Sequence, residues 1–512
     1  MCLWLTRPVA SLEEFSREEL IALALRQAAL VDRLTAQVAA MAVQVSELVE
    51  ANEDLAGRLA RAEHLLSRNS GNSSMPPSGD DAPGRTPPVP KRRGGTGRKR
   101  GGQPGSSGSK LEFTADPDEI LPLFPQGACG CGADLSGAAD LGVFASSQQT
   151  EIPMVIAKVT QYDRHAARCL CGKVHVAPRP AGTGRGQTGY GPNLRAWCVY
   201  LLAVQFLPVQ RVCRLMRDLT GAEPSPGFVH GILNHAAAAL READRRIRAL
   251  ITLAYAVCLD ETPLRVGPAK PKAGKKRAQK YLIVACTELY THFLLGDRDL
   301  ATFKATVLAE RTDRIIVHDR YQNYDSAEIG PFLHQLCCQH LLRDLDGAAE
   351  CYPDQTWPGQ IARALRTLIH EANQARHAGR SGIDPEIRDR QIFWLRHGVL
   401  LGLGEMTHRS GNRPGEAKAR GLIEVLHQRE HDVLRFAYDL RIPPTSNQAE
   451  RDLRPSKIQQ KISGRLTSEK TTADRYTIRG VLSTAAKHGA NQMTILRDTL
   501  TGIPWLPPEP AT

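Results

Sequence analysis

Residues 257–266, Val-Cys-Leu-Asp-Glu-Thr-Pro-Leu-Arg-Val, constrain the fold of this chain more than any other stretch. An apolar run starting at Tyr255 and ending at Leu259 delivers two adjacent carboxylates, Asp260 and Glu261, with Pro263 close behind. Side chains alternate along a strand, so the two acids point to opposite faces and only one serves a site on a given side of the sheet. A carboxylate at the end of a buried strand is costly unless it is paired or holds a cation. Two further acids stand in matching settings. Asp319 closes the apolar run 314–319, Arg-Ile-Ile-Val-His-Asp. Glu450 falls in the first turn of a helix expected after the breaker Ile442-Pro443-Pro444, capped by Ser446 or Asn447. Lys457 lies seven residues beyond Glu450, on the same helix face two turns later, although Pro455 is expected to kink or end that helix.

The order of elements between the acids narrows the fold further. YAVCLDETPLRV reads as a strand, a basic loop follows at 270–280, and YLIVACTEL and THFLLG read as two more strands. DLATFKATVLAE is an amphipathic helix, and the strand ending in Asp319 comes next. Three meandering strands, a helix and an acid-bearing strand form the layout of a ribonuclease-H-like α/β core. We assign 246–330 to the first part of that core and 331–440 to a helical insertion. Residues 441–490 return to the core with the Glu450 helix, and 491–512 form a C-terminal tail. Asp260, Asp319 and Glu450 have the residue types and settings that a two-metal site requires, and their hard oxygens suit magnesium. Glu261 is expected to face away, and His318 and His340 are read as core or surface histidines.

A chain of 512 residues is too long for one ordinary core. Residues 1–68 form its N-terminal unit. Val31, Val38, Val45, Asn52, Leu59 and Leu66 recur every seven residues, with Leu34, Met41, Leu48 and Leu55 three places after the first four. β-Branched a positions with one Asn at a favour a parallel dimeric coiled coil; a single long amphipathic helix packed within its own subunit is the alternative. Residues 69–112 are rich in Pro, Gly and Ser and too polar to build a core, so they read as a disordered linker. Within it Lys91, Arg92, Arg93, Arg98, Lys99 and Arg100 place six positive charges in ten residues, suited to sequence-independent phosphate contacts.

Residues 113–180 carry two Gly-turned thiol pairs, Cys129/Cys131 and Cys169/Cys171, resembling the four-sulfur cage of a zinc ribbon with one structural zinc. His165 and His175 are substitute ligands. In 181–245, helices are expected at 194–206, 209–219 and 228–239. The last two read as a helix-turn-helix or, since the second has no Arg or Lys, equally as a packing module. The net charge of +12 fits a polyanionic partner. No apolar run is long enough for a membrane span, and the N-terminus lacks a secretory pattern. A cytoplasmic location with reduced or metal-bound cysteines is expected.

The motifs LDETPLRV and SNQAERDLRP are the most specific in the chain. With RNSGNSSMPPSGD, RRGGTGRKRGGQPG, YGPNLRAWCVYLLAVQFLPVQRV, HDRYQNYD and LCCQHLLRDL in order around them, the chain resembles the insertion-sequence sixty-six family of DDE transposases. The resemblance implies catalytic roles for Asp260, Asp319 and Glu450, two divalent ions (Mg or Mn), and a basic residue at Lys457. It implies DNA as partner, both the element's terminal inverted repeats and the target, and accessory proteins of the same element. Arg454 and Lys457 are expected to contact phosphates. The thiol pairs are CxC where the family has CxxC, and the basic loop 270–280 has no assigned role. The competing readings are a non-catalytic DNA-binding scaffold and a two-metal nuclease that cuts without joining.

Overall fold

A computed structural model describes residues 15–69, 72, 80, 86, 112–183, 186–268, 270, 279–310, 314–407 and 415–509. The basic residues Lys91, Arg92, Arg93, Arg98, Lys99 and Arg100 lie outside this set, as does most of the loop 270–280. The chain divides into two compact units. One comprises Met1–Val89, Asp244–Lys457 and Pro507–Thr512, the other Pro90–Ala243 and Ile458–Leu506. No helix among the described residues is long and apolar enough to cross a membrane.

The first unit opens on α1 (Arg17–Ser67), whose N-terminus closes in a capping box between Ser16 and Glu19. No residue of its 51 is buried. The heptad positions Val31, Leu34, Val38, Met41, Val45 and Leu48 are all exposed by half or more. The polar segment that follows begins less freely than its composition suggests. Asn69, Asn72 and Asp80 are buried, Asn72 Nδ2 donates to Ser67 O and to Glu350, and Asn69 N donates to Asn72 Oδ1 at 2.8 Å. Side-chain amides replace the missing apolar contacts there.

The helices α2 (Pro192–Ala203), α3 (Val209–Thr220) and α4 (Pro226–Leu253) belong wholly or in part to the second unit, with the hairpin β1 (Ala166–Arg168) and β2 (Val174–Val176) before them. α4 is far longer than the expected 228–239. Leucines, isoleucines and alanines continue along one buried face from Val229 to Ile251.

The sheet of the first unit contains β3 (Ala256–Leu264), β4 (Lys280–Cys286), β5 (Thr291–Gly296), β6 (Ile315–His318) and β7 (Leu333–Leu336) in the order β5-β4-β3-β6-β7. β3, β4 and β5 form an antiparallel meander, while β6 runs parallel to β3 and β7 parallel to β6. The expected meander is therefore present. The helix expected between β5 and β6 is broken: α5 (Leu300–Lys304) stops early and a 3-10 turn, Val307–Glu310, follows.

β7 falls inside the stretch assigned to the helical insertion, so the sheet gains a fifth strand and the insertion starts later. Its Gln335 is fully buried, with Nε2 donating to Val433 O at 3.0 Å and Oε1 accepting from Phe436 N at 2.9 Å. Those backbone partners belong to α10 (Glu430–Tyr438), the fifth helix after β7. Before it come α6 (Cys338–Cys351), α7 (Trp357–His377), α8 (Pro385–Thr407) and α9 (Glu416–Gln428).

Close packing of α8 depends on glycine. A Cβ at Gly402 would sit 2.6 Å from Ile423 Cδ1 and 3.1 Å from Trp357 Cδ2. Gly402→Val is expected to cost about 1–3 kcal/mol through overpacking, read as a shifted urea midpoint with an unchanged slope.

α11 (Asn447–Ile462) runs through Pro455. Proline removes the bond to the carbonyl of residue i−4, here that of Arg451, an exposed residue. Ser446 does not cap this helix through its hydroxyl, which is buried without a hydrogen bond. The remaining helices, α12 (Glu469–Lys487) and α13 (Gln492–Thr501), pack on α2 in the second unit. There Arg475 and Arg479 donate to Leu202 O and Ala203 O at the C-terminal end of α2, where a helix presents orphan carbonyls.

Candidate active site

β3 and β6 position the first two acids. Cys258 on β3 pairs with Val317 on β6, and the same parallel register carried two residues on sets Asp319 beside Asp260, one strand spacing of about 4.8 Å away. Asp260 Oδ1 accepts the Glu261 N–H at 2.8 Å. Asp319 Oδ1 accepts the Tyr321 N–H at 2.9 Å, which starts the turn leading away from β6.

Glu450 reaches the same region because the chain entering α11 is tied down at three points. Cys258 Sγ, on the Asp260 face of β3, lies 3.9 Å from Thr445 O. Cys338 N donates to Pro444 O at 3.0 Å, and Ser446 N donates to Cys337 Sγ at 3.3 Å. The start of α6 and the start of α11 therefore meet over the ends of β3 and β6. Thr291 Oγ1 of β5 holds Asp452 Oδ2 at 2.8 Å, which fixes the rotation of α11.

Between the acids stands His340, in the first turn of α6. Its Nε2 is 3.8 Å from Glu450 Oε1, and Arg343 is 3.6 Å from the same oxygen. Burial alone would lower the His340 pKa, but Cys337, Asp319 and Glu450 outweigh it and push the value up to about 9. Asp260 is raised well above the ordinary carboxylate range, first by burial and then by the charges of Glu261 and Asp319, with His340 opposing. Burial lowers Lys457, and its attraction to Asp260 works the other way, so this lysine faces the first acid two turns beyond Glu450. Arg454 is exposed on the same helix.

Glu261 turns to the other face of β3. Arg298 donates to its Oε1 through Nε at 3.0 Å and through a terminal nitrogen at 2.6 Å, and the Tyr324 hydroxyl donates to Oε2 at 2.9 Å. It is a buried acid with its own partners, whereas Asp260 faces other carboxylates.

The donor set fits divalent cations. Three carboxylates share one region, and the charges of Glu261 and Asp319 add to burial in raising the Asp260 pKa. The three do not close to within 4.8 Å of one another, the spacing one shared ion would need. Two ions about 3.5–4 Å apart spread their ligands more widely.

His340 was read from the sequence as a core or surface histidine, yet it stands among the acids. Cys337, Arg343 and His340 are the residues that sequence reasoning missed. The one available signal was the density of reactive side chains in Cys337-Cys338-Gln339-His340, directly after a strand.

The thiol pairs form two turns of the same design. Cys129 N donates to Ala133 O and Gly132 N to Cys129 O; Cys169 N donates to Lys173 O and Gly172 N to Cys169 O. Gly132 and Gly172 take positive φ, 90° and 83°, which only glycine adopts freely. Hydrogen bonds within each turn lower the pKa of Cys131 and of Cys169. No three of the four sulfurs lie within 4.8 Å of one another, so the four-thiolate cage is not assembled in this structure.

The family model of the IS66 family of transposases matches residues 187–474, more than half of the chain, and spans all three acids. The chain belongs to the IS66 transposase family. A transposase role with DNA as the partner follows from membership. A second family model, of a family of unknown function, matches residues 25–112 of this IS66 family member, covering most of α1 and the polar segment after it. No curated protein matches the chain.

Proposed function

We propose that this IS66 family member is the DDE transposase of its element, binding the terminal inverted repeats, cleaving the DNA strand there and joining the freed end to target DNA. The observation that carries the reading is the convergence of Asp260, Asp319 and Glu450 around His340. The sheet order, an antiparallel meander continued by two parallel strands, supports a ribonuclease-H-like core with 338–438 as its helical insertion.

Asp260, Asp319 and Glu450 would hold two divalent ions, Mg or Mn, which when bound supply activation of the attacking oxygen and neutralisation of charge at the leaving one. The protein's own groups do the rest. His340 and Arg343 hold the Glu450 carboxylate in place from α6. Lys457 is set to pair with a phosphate near Asp260, and exposed Arg454 extends the contact along α11. Lys91, Arg92, Arg93, Arg98, Lys99 and Arg100 add phosphate contacts that carry no sequence information. The exposed seam of α1 joins two copies of the chain.

His340→Asn is expected to lower strand cleavage on the order of 10–100-fold by loosening Glu450, with the melting temperature little changed; single-turnover cleavage of labelled end DNA measures it. The reading as a whole is tested by incubating the protein with end-repeat DNA, target DNA and Mg²⁺. Joined products support it. Cleavage without joining indicates a nuclease, and binding without cleavage a scaffold.

A further inference from the structure

The side of β3 and β6 that carries Glu261 holds a second cluster that the acids do not use. His318 ends β6 and is fully buried. His334 lies on the neighbouring strand β7, and Asp325 ends the short 3-10 turn Gln322–Asp325 that follows Asp319. Tyr324 joins the cluster to Glu261: its hydroxyl bonds that acid and its ring lies 4.6 Å from the His318 ring.

One ligand atom from each of His318, Asp325 and His334 lies within 4.8 Å of the others. His318 Nε2 and His334 Nδ1 are 2.9 Å apart, and His334 Nδ1 is 3.8 Å from Asp325 Oδ1. Tetrahedral ions with bonds of 2.0–2.2 Å to nitrogen and oxygen hold their ligand atoms about 3.3 Å apart. The observed spacings bracket that value, so side-chain shifts of a few tenths of an ångström would suffice.

The outer partners are also those a metal site needs. His318 Nδ1 faces the Asp319 backbone carbonyl, so this nitrogen carries the proton and Nε2 keeps its lone pair for the cluster. Asp325 Oδ2 accepts from Arg429 at 3.0 Å, leaving Oδ1 toward His334. A ring N–H on a carbonyl and a hydrogen-bonded ligating carboxylate are the supports that orient metal ligands. Arg429 is shared with Asp432, which also holds Arg435. Two carboxylates therefore balance two guanidiniums beside the cluster. Asp325 is 38% exposed, which gives an approach from solvent.

We propose that His318, Asp325 and His334 bind one divalent ion of the zinc class. Two imidazoles and a carboxylate favour Zn, Co or Ni over the magnesium that an all-oxygen set prefers. The ion would tie β6 and β7 to the turn that leaves Asp319, fixing the backbone that carries the second acid without touching DNA.

Cobalt(II) titration of the purified full chain tests the site. Wild type is expected to take up one equivalent that gives visible d–d bands without the near-ultraviolet thiolate absorption that Cys129, Cys131, Cys169 and Cys171 would add. His334→Gln and Asp325→Asn are each expected to weaken this uptake on the order of 100-fold or more, while Asp260→Asn leaves it intact and so separates it from the acid site. Circular dichroism checks that each variant is folded. The proposal is overturned if folded His334→Gln binds cobalt as wild type does. It is equally overturned if wild type gives no thiolate-free band, which would mean that the two rings only share a hydrogen bond.

Discussion

Asp260→Asn abolishes strand cleavage and joining, by on the order of 1,000-fold or more, and leaves the protein as stable as wild type or more so. The two halves of this expectation have one cause. Asp260 is half-buried beside Asp319 and Glu261, and its pKa is driven upward by loss of solvation and by those like charges. Such crowding costs folding energy and persists where a cation is to be held. Asparagine has the same shape and removes the repulsion together with the metal ligand. Glu261→Ala behaves in the opposite way. It orphans Arg298, whose guanidinium stacks 3.6 Å over the Tyr321 ring, and it strips the Tyr324 hydroxyl of its acceptor. A loss of about 2–4 kcal/mol is expected, with part of the charge cost relieved because Arg298 is 36% exposed. Melting curves and cleavage rates on the same two preparations check the contrast. If Asp260→Asn cleaved normally and Glu261→Ala did not, the roles of the neighbouring acids would be exchanged.

The second large effect concerns α1. A helix of 51 residues with none buried, touching the described residues of its own subunit near its C-terminal end, where His64 meets Cys351, leaves most of its apolar seam without cover to repay the ordering of its side chains. Its apolar seam is therefore expected to be covered by a second copy. Met41→Asp combined with Leu48→Asp puts two charges into that seam. The variant is expected to halve the mass measured by light scattering and to lose much of the helical signal of this segment. Joining of paired ends should fall with assembly, while cleavage of a single end by the core is retained in part. An unchanged mass would place the seam against some other surface.

What could be read from the sequence was set by how local each signal is. The period of seven in α1 and the apolar runs leading to Asp260 and Asp319 lie within a few residues, so they were legible, although β3 does not end at Asp260 but continues to Leu264. β7 was not, because Leu-His-Gln-Leu is short and half polar. Its Gln335 is buried only because Val433 and Phe436, about a hundred residues later, supply backbone partners. His340 was hidden for the same reason: its place in the site depends on Glu450, which reaches it through the contacts of Pro444, Thr445 and Ser446. The polar composition after α1 suggested a free chain, yet Asn69 and Asn72 are buried through amide hydrogen bonds that a hydropathy pattern does not register. Pro455 promised a helix end and did not bring one: α11 continues to Ile462, and the residue whose carbonyl loses its partner, Arg451, is exposed.

The central claim is that Asp260, Asp319 and Glu450 form one divalent-metal centre. Anomalous scattering from crystals of the full chain soaked in Mn²⁺ tests it most directly. The account predicts manganese within about 2.5 Å of a carboxylate oxygen of each of the three acids, with none on Glu261. Manganese bound to Glu261, or bound elsewhere with Glu450 left turned toward His340 and Arg343, would contradict it.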